Sequence, residues 1–333
     1  MDARHPRPRI LLLHTGGTFG MAPADPHHSL APGPALERIL EQVPELKELA
    51  DLRLEIPFNR DSSELEPEHI LLLARTVRER APDYQGIVII HGTDTMAFTA
   101  SVLGFLLADL GKPVVLTGSQ RPLAFVRGDA RKNLIDAVDL ATTGVPEVGI
   151  CFGDFWYRGV ASEKLSVTRY RAFGSPNLPP LAEIGMKVQL YPHAGQFERR
   201  VPPGLGTALE GAIAVHSPHP GMPWALPPEG IRGLLILAYG AGNLPMERQD
   251  LAALLDRAKE RRLPVVVLSQ CTWGGVEFGT YDLSRKLAAT GAISGGLHTR
   301  WAALAKLGLC LGSGWDLAAI REAFAVSWAG EPV

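Results

Sequence analysis

The sequence predicts an α/β fold, a doubly wound and mainly parallel sheet followed by a second, smaller α/β domain. Apolar runs such as 86–90 alternate with helix-like stretches such as 67–80 through the first half of the chain. These runs lack the polar alternation of a strand with one solvated face, so they indicate parallel strands covered by helices on both sides. The chain has 333 residues, 46% of them hydrophobic, which is enough for two adjacent domains.

The predicted elements follow the chain in a regular order. In the first half we predict strands at 9–13, 52–58, 86–90, 113–116 and 148–152, and helices at 34–46, 67–80, 95–110 and 129–141. Between 175 and 230 many prolines argue against long helices. After residue 230 we predict strands at 233–237 and 264–268, and helices at 246–261, 300–308 and 315–327. The predicted organisation is an N-terminal catalytic domain at 1–190, a linker at 191–211 and a C-terminal domain at 212–333.

The charge balance and the cysteine spacing exclude several classes of binding partner. Lys and Arg total 33 against 35 Asp and Glu, a net charge of −2, so no global field attracts nucleic acid or an anionic membrane. The three cysteines, Cys151, Cys271 and Cys310, are far apart and have neither disulfide nor zinc spacing. No segment approaches the ~20 apolar residues of a membrane span. We expect a cytoplasmic protein that binds a small polar molecule and needs no metal or cofactor.

Two threonines lie in short turns that follow buried strands, Thr18 in Thr-Gly-Gly-Thr and Thr93 in His-Gly-Thr-Asp-Thr. Ligands of open parallel sheets bind beyond the carboxyl ends of the strands, so the two hydroxyls can converge on one small molecule. The first turn matches neither G-x-G-x-x-G nor a Walker loop, which argues against nucleotide binding. A glycine turn with a capping threonine, and simple helix capping at the second turn, stay open as structural alternatives.

Two further segments carry polar groups of interest. A third turn, at 116–122, again follows a buried strand and contains Ser119, and we expect it to support the floor of the pocket. Lys164 taken alone is typical of a solvated surface charge. His91 is expected to be a packed framework residue, because no companion residues give it metal-ligand spacing.

Together these motifs resemble the bacterial-type L-asparaginase family over nearly the whole chain. The matching segments occur in the family's order at 15–18, 61–63, 91–97, 117–120 and 175–180. The Asp-Ser-Ser form at 61–63 and Ser-Pro-Asn-Leu-Pro-Pro at 175–180 are closer to the cytoplasmic type I branch than to the secreted type II branch. The resemblance implies hydrolysis of L-asparagine to L-aspartate and ammonia by a homodimer or homotetramer.

The resemblance also implies roles for particular residues. Thr18 corresponds to the nucleophile, Thr93 to the second hydroxyl, Lys164 to its activating base, and Asp94 to the carboxylate that pairs with the substrate ammonium. A threonine hydroxyl is a poor nucleophile near neutral pH, and a desolvated lysine with a lowered pKa can activate it. The implied substrate-binding residues are Asp61, Ser62, Ser63, Gly92, Ser119 and, from a neighbouring subunit, Asn243. Ser62 and Ser63 would hold the substrate α-carboxylate.

Departures from the family pattern lead to one further expectation. The first loop, 21–33, has no tyrosine to orient Thr18. Around Cys271 the chain resembles type I enzymes that have an allosteric asparagine site, but Ala238 stands in place of an arginine and Glu163 in place of a threonine. We therefore predict weak or absent activation by asparagine.

Two other functions remain open. The same machinery serves glutaminases and the archaeal glutamyl-tRNA amidotransferase subunit, but that subunit has an extra domain before its threonine turn, whereas Thr15 follows fourteen residues here. A non-catalytic amino-acid sensor is the non-enzyme alternative. It is disfavoured because a binder has little need of a base-activated hydroxyl pair.

Overall fold

The structure is a computed structural model that describes residues 6–17, 19, 21–23, 30–32, 39–225, 227–279 and 282–333. The chain divides into two compact units, one of Met1–Ser175 with Pro179–Arg199 and one of Pro176–Leu178 with Arg200–Val333. The domain limits inferred from sequence, at 190 and 212, stay predictions. None of the helices in these described ranges combines the length and apolar character that crossing a bilayer requires.

The first unit is built on an eight-stranded sheet with a parallel centre. Its strands, in chain order, are β1 Arg9–His14, β4 Asp51–Glu55, β5 Gly86–Ile90, β6 Val114–Thr117, β7 Val148–Phe152, β8 Phe155–Arg158, β11 Ala182–Ile184 and β12 Val188–Leu190, and their spatial order is β12-β11-β8-β7-β6-β5-β1-β4. The five strands from β7 to β4 in that order pair in parallel, whereas β8, β11 and β12 pair antiparallel. Two small antiparallel pairs join β2 Met21–Pro23 to β3 Leu30–Pro32 and β9 Glu163–Lys164 to β10 Phe173–Gly174.

Helices cover this sheet. They are α1 Ile39–Gln42, α2 Leu46–Leu49, α3 Pro67–Arg80, α4 Met96–Leu106 and α5 Ala130–Thr142. Pro67 opens α3, where its missing N–H costs nothing. α4 is apolar on nearly all sides and is almost wholly buried, whereas α5 buries one stripe, including Leu134 and Val138, in the core with Leu12 and Val88 of the sheet.

The helix predicted at 34–46 is wrong in its extent. Residues 33–38 lie outside the described ranges, and the remainder forms two short helices, α1 ending at Gln42 and α2 running to Leu49. The physical reason is Pro44, which has no N–H to continue the α1 ladder.

The strand order reverses between β1 and β5. β4 lies on one side of β1, and the later strands β5, β6 and β7 follow on the other side. The carboxyl ends of β1 and β5 therefore flank a topological switch point, the place where open α/β sheets bind their ligands. Thr15 and His91 are the first residues after these two strands.

The second unit repeats the α/β pattern on a smaller scale. Its sheet is β13 Ile213–His216, β14 Gly233–Ala238, β15 Val265–Ser269 and β16 Ile293–Ser294, all parallel and in that order, and its helices are α6 Gln249–Glu260, α7 Asp282–Ala289, α8 Arg300–Gly312 and α9 Leu317–Phe324. Buried aliphatic side chains of β14, β15 and α6 form its core. The predicted fold class, a doubly wound sheet with a second, smaller α/β domain, is confirmed.

Candidate active site

The turn after β1 is tied to the turn after β5. Thr15 donates its backbone N–H to Ile90 O at 3.0 Å and its hydroxyl to the same oxygen at 3.1 Å. The carbonyl of Thr15 accepts the amide of Arg60 at 3.0 Å. Three chain segments therefore converge at the switch point.

Gly17 and Gly92 let these turns approach each other closely. A Cβ atom on Gly17, whose φ is +83°, would lie 2.4 Å from Gly92 Cα. A Cβ atom on Gly92 would lie 2.5 Å from Ser62 Oγ. Neither contact is possible for a side chain, so glycine at both positions is what brings the first turn, the second turn and Ser62 together.

Lys164 reaches the second turn from β9. Its Nζ atom donates to Thr93 Oγ1 at 2.8 Å and to Asp94 Oδ1 at 2.6 Å. The Lys164 side chain is 16% exposed and that of Asp94 is 64% exposed. Thr93 is buried, at 7% exposure. The three residues thus form one hydrogen-bonded cluster that is open to solvent on the Asp94 side.

The segment that follows β4 supplies two serines and an aspartate. Asp61 caps the 3₁₀ turn Ser62–Glu64 and accepts from Ser63 Oγ at 2.6 Å and Ser63 N at 2.9 Å. Both bonds lower the pKa of Asp61, and the bond from the Ser63 hydroxyl has the larger effect. Thr95 Oγ1 donates to Ser62 O at 2.8 Å, which fixes the buried Ser62 beside the second turn.

Hydrogen bonds with residues at the N-terminal end of α5 fix the third turn. The Asp129 carboxylate accepts the amide of Gln120 at 2.9 Å and the side-chain amide of Asn133 at 3.2 Å. The Gln120 side chain in turn donates to the carbonyls of Ser166 and Arg169, in the loop between β9 and β10. The buried Ser119 hydroxyl has no hydrogen-bond partner within the described part of the chain. The turn thus carries a free buried hydroxyl and braces the segment that follows Lys164.

Two buried histidines contact the backbone of the threonine turns. His14 Nδ1 accepts the amide of Gly16 at 3.0 Å, and His91 Nδ1 lies 2.7 Å from Gly92 O, so Nδ1 of His91 carries a proton and donates. Burial lowers the pKa of both imidazoles to about 4, and the charge of His91 contributes further at His14. Both rings are therefore neutral near neutral pH, and His91 is a framework residue, as expected.

The other predicted site residues lie as follows. Thr18 lies outside the described residues. Asn243 belongs to the second unit, where it forms a tight turn with Tyr239 through reciprocal backbone bonds. Across the part of the chain that the structure describes, no group of three or more His, Cys, Asp or Glu side chains is arranged to hold a metal ion.

Sequence reasoning missed four residues that shape this site, namely His14, Thr95, Gln120 and Asp129. Each is a polar residue at or just beyond a strand end or helix start, and that position was the available signal. The Thr95 and Gln120 side chains donate to backbone carbonyls of distant segments, which sequence spacing does not reveal, whereas His14 and Asp129 have partners nearby in the chain.

The fold is that of an α/β protein with a doubly wound sheet. At its switch point a threonine, a lysine and an aspartate are hydrogen-bonded together, and such a site suits nucleophilic chemistry on a small polar ligand. Two family descriptions match the chain: "Asparaginase, N-terminal" over residues 9–195 and "Glutaminase/Asparaginase C-terminal domain" over residues 219–324. The chain belongs to the asparaginase family.

Named relatives agree with this family. The chain is 36% identical to L-asparaginase 1 of Escherichia coli, over 97% of each chain. It is 31% identical to a glutamyl-tRNA(Gln) amidotransferase subunit of Pyrococcus horikoshii, over 97% of this chain and 76% of that protein. Among solved structures, L-asparaginase I from Vibrio cholerae superposes with a TM-score of 0.85 at 34% identity, over 98% of this chain and 99% of that one.

Proposed function

We propose that this protein hydrolyses L-asparagine to L-aspartate and ammonia through an acyl-enzyme intermediate on Thr18, without a cofactor. The observation that carries the proposal is the contact of one lysine amine with Thr93 Oγ1 at 2.8 Å and Asp94 Oδ1 at 2.6 Å. The substrate assignment is supported by family membership and by the relative named L-asparaginase 1.

The role of nucleophile for Thr18 is supported by its neighbour in the chain. Gly17 packs against Gly92, the residue before Thr93. Thr18 is the next residue in the sequence after Gly17. Thr18 Oγ attacks the side-chain amide carbon of asparagine, and the proton it loses leaves with the amide nitrogen as ammonia.

Lys164 and Thr93 are the proposed proton relay. In the resting structure the amine donates to Thr93 Oγ1. When the amine is deprotonated, Lys164 Nζ can instead take the proton of the Thr93 hydroxyl. Thr93 Oγ1 can then accept a proton from the attacking hydroxyl or from water. In the second half-reaction water attacks the acyl carbon, the Thr18–acyl bond breaks, and aspartate leaves.

Recognition of a zwitterionic amino acid needs one anionic and one donor-rich group. Asp94 engages Lys164 through Oδ1, and its exposed carboxylate has acceptor capacity left for the substrate ammonium. Ser62 and Ser63, with nearby backbone amides, are the proposed α-carboxylate site, and Asp61 orients Ser63 through two hydrogen bonds. Gly92 and Ser119 complete the proposed substrate-binding set in this unit.

Charge that develops on the amide oxygen needs fixed donors. The second turn leads into the N-terminus of α4 at Met96, where backbone amides are free of helical partners. We assign the oxyanion to main-chain amides near Thr93. A donor of this kind contributes roughly 3 kcal/mol in comparable sites.

Ammonia release from purified protein tests the proposal directly. With asparagine, glutamine and their D-forms as substrates, we expect L-asparagine to have the highest kcat/KM. Thr18→Ala, Thr93→Ala and Lys164→Ala are each expected to lower kcat by at least about 100-fold with the fold intact. Thr207→Ala and Lys187→Ala, at exposed positions, serve as matched controls. Near-normal turnover in all three site variants would refute the mechanism.

A glutaminase or a glutamyl-tRNA amidase is the second enzymatic candidate, favoured by the similarity to the amidotransferase subunit. One methylene changes discrimination by only ~1–3 kcal/mol, so glutamine is a reasonable side substrate. Free amino-acid amide is the preferred substrate class here, because the relative named L-asparaginase 1 has the higher identity, 36% against 31%. Equal kcat/KM for asparagine and glutamine would favour this alternative.

An amino-acid sensor remains the non-enzyme alternative. Binding of asparagine in calorimetry without ammonia release would support it.

We further propose that the protein is cytoplasmic and acts as a homodimer or homotetramer, with Asn243 of a neighbouring copy completing each site. A monomer with full activity in analytical ultracentrifugation would contradict the oligomer.

A further inference from the structure

His14 makes a hydrogen bond that points into the turn before Thr18. It is the last residue of β1, it is fully buried, and its Nδ1 accepts the backbone N–H of Gly16 at 3.0 Å. Gly16 has a φ of +116°, and a Cβ atom there would lie 2.0 Å from Arg60 O. The peptide ahead of Gly17 is thus held by an imidazole on one side and by a neighbouring backbone on the other.

The hydrogen bond requires one particular form of the ring. Because Nδ1 accepts, it carries no proton, so the neutral ring has its proton on Nε2. Burial, with a smaller contribution from the charge of His91, lowers the pKa of His14 to about 4. The acceptor form is therefore the one present near neutral pH.

The rest of the ring has no comparable role. Nε2 of His14 is buried and has no hydrogen-bond partner among the described residues, and the Phe19 ring meets the imidazole edge-on with the ring centroids 6.5 Å apart. Because Nε2 carries the proton in this neutral form, it has no lone pair with which to act as a general base. An apolar side chain would fill the same space without leaving a polar atom unpaired. The Nδ1 acceptor is thus the feature that distinguishes histidine from leucine or phenylalanine at this position.

We propose that His14 is a positioning residue for the reaction, whose neutral Nδ1 holds the Gly16 amide and thereby fixes the direction in which the chain enters Thr18. This inference rests on the proposed function, because its effect is exerted on the nucleophile of that reaction. The asparaginases that this chain resembles usually have a tyrosine in the first loop that orients the threonine, and this chain has none there. The His14 bond instead acts on the strand side, on the backbone two residues before Thr18.

Asparagine and glutamine substitutions separate the two ring nitrogens. The side-chain oxygen of His14→Asn lies at the position of Nδ1 and is able to accept the Gly16 amide, whereas His14→Gln places its amide group nearer the position of Nε2. We expect His14→Asn to keep kcat within about 3-fold of wild type and His14→Gln to lower it by about 10- to 100-fold, because small misplacements of a reacting group have effects of that size. KM for asparagine should change little in both, since the carboxylate and ammonium sites are untouched.

Folding must be followed alongside the kinetics. Circular dichroism and thermal midpoints of both variants show whether kcat follows the folded fraction, as a purely structural role requires. His298→Asn and His298→Gln are matched controls, because His298 is likewise buried with a pKa lowered to about 4 by burial, and lies in the second unit. We expect these controls to keep wild-type kcat per folded molecule. Equal kcat in folded His14→Asn and His14→Gln would overturn the proposal.

The wild-type protein gives a measurement that needs no variant to fold. In ¹⁵N-labelled protein at neutral pH, long-range ¹H–¹⁵N correlations of the His14 ring should show a neutral imidazole protonated on Nε2. A ring protonated on Nδ1, or on both nitrogens, would overturn the proposal. Absence of ammonia release by wild type would instead refute the proposed function and remove the reaction on which this inference rests, whatever tautomer the His14 ring shows.

Discussion

Gly17 and Gly92 lie backbone against backbone at the topological switch point of the larger sheet. The Cα atom of Gly92 occupies the space that a side chain at Gly17 would need, and Gly92 is itself enclosed by Ser62. This contact aligns the turn that carries Thr18 with the turn that carries Thr93. The close approach of the two turns therefore depends on the absence of a Cβ atom at Gly17 and at Gly92.

Gly92→Ala should reduce both activity and stability. The new Cβ would lie 2.5 Å from Ser62 Oγ and 2.6 Å from Ser62 Cβ, so Ser62 or the first turn must shift. We expect a loss of about 100-fold in kcat/KM for asparagine and about 1–3 kcal/mol in the free energy of unfolding. Gly185→Ala is the matched control, because a Cβ atom there would meet no described atom within 4 Å other than those of its own chain neighbours. Equal kinetics for the two variants would show that the close approach is not needed.

Asp94 should determine the preference for substrates with an α-ammonium group. Its carboxylate contacts Lys164 through one oxygen and is otherwise exposed. Asp94→Asn removes the negative charge at similar volume, so we expect KM for asparagine to rise at least about 10-fold, the size of a charge-assisted hydrogen bond. Succinamic acid, which lacks the ammonium group, is the control substrate, and the ratio of kcat/KM for asparagine to that for succinamic acid should fall. An unchanged ratio would contradict this role.

The parallel part of the fold was predictable because each central strand is a continuous apolar run. The three antiparallel strands β8, β11 and β12 were missed, whereas β4, at the opposite edge of the sheet, was predicted at 52–58. β8 follows β7 through Gly153 and Asp154, both at positive φ, so a two-residue hairpin signal was present in the sequence. β11 and β12 have three residues each, too few to show a period of two.

The candidate site was predictable only in part. The threonine turns follow apolar strands and could be located from the sequence, whereas Lys164 lies 71 residues from Thr93 and was singled out by the family resemblance alone. Hydrogen bonds to distant backbone atoms, such as those donated by the Thr95 and Gln120 side chains, depend on how separate segments of the chain cross. No local pattern encodes that crossing.

Asparagine hydrolysis should show hyperbolic kinetics. Type I enzymes with an allosteric asparagine site carry an arginine where this chain has Ala238, which is buried at the end of β14, and a threonine where it has Glu163. Neither residue supplies the donor that an asparagine carboxylate requires. Initial rates over a wide range of asparagine concentrations should fit a Hill coefficient of about 1. A clearly sigmoidal curve would show that another binding mode replaces these residues.

Acid should destabilise the protein through its buried histidines. Burial lowers the pKa values of His14, His91 and His298 to about 4, whereas an unfolded histidine titrates near 6.5. Between these values the unfolded chain binds more protons than the folded one, so this stability is fully present above about pH 6.5 and is lost as the pH falls toward about 4. Each histidine contributes a slope of about 1.4 kcal/mol per pH unit. Urea unfolding across this range should show a shallower slope for His298→Gln than for wild type, and equal slopes would contradict the assignment.

The C-terminal segment should depend on one fully buried ion pair. Lys306 Nζ in α8 donates to Glu331 Oε1 at 2.7 Å, and both side chains are 0% exposed. Burial raises the pKa of Glu331, but the charges of Lys306 and His298 and bonds such as that from the Ala329 amide outweigh it, and the net pKa is lowered. The carboxylate is thus ionised near neutral pH. Burial lowers the pKa of its partner Lys306, and the negative charge of Glu331 opposes that shift.

Removing one partner leaves the other charge buried and unpaired. Glu331→Gln is therefore expected to lower the free energy of unfolding by about 3–5 kcal/mol. Replacing both partners, as in Lys306→Met with Glu331→Gln, should recover much of that loss, because no uncompensated charge remains. Urea unfolding followed by tryptophan fluorescence, with the exposed Glu322→Gln as control, measures these differences. If the double variant were no more stable than Glu331→Gln, the stabilising contribution of residue 331 would lie in its bonds to the backbone amides of Trp328 and Ala329 and not in its charge.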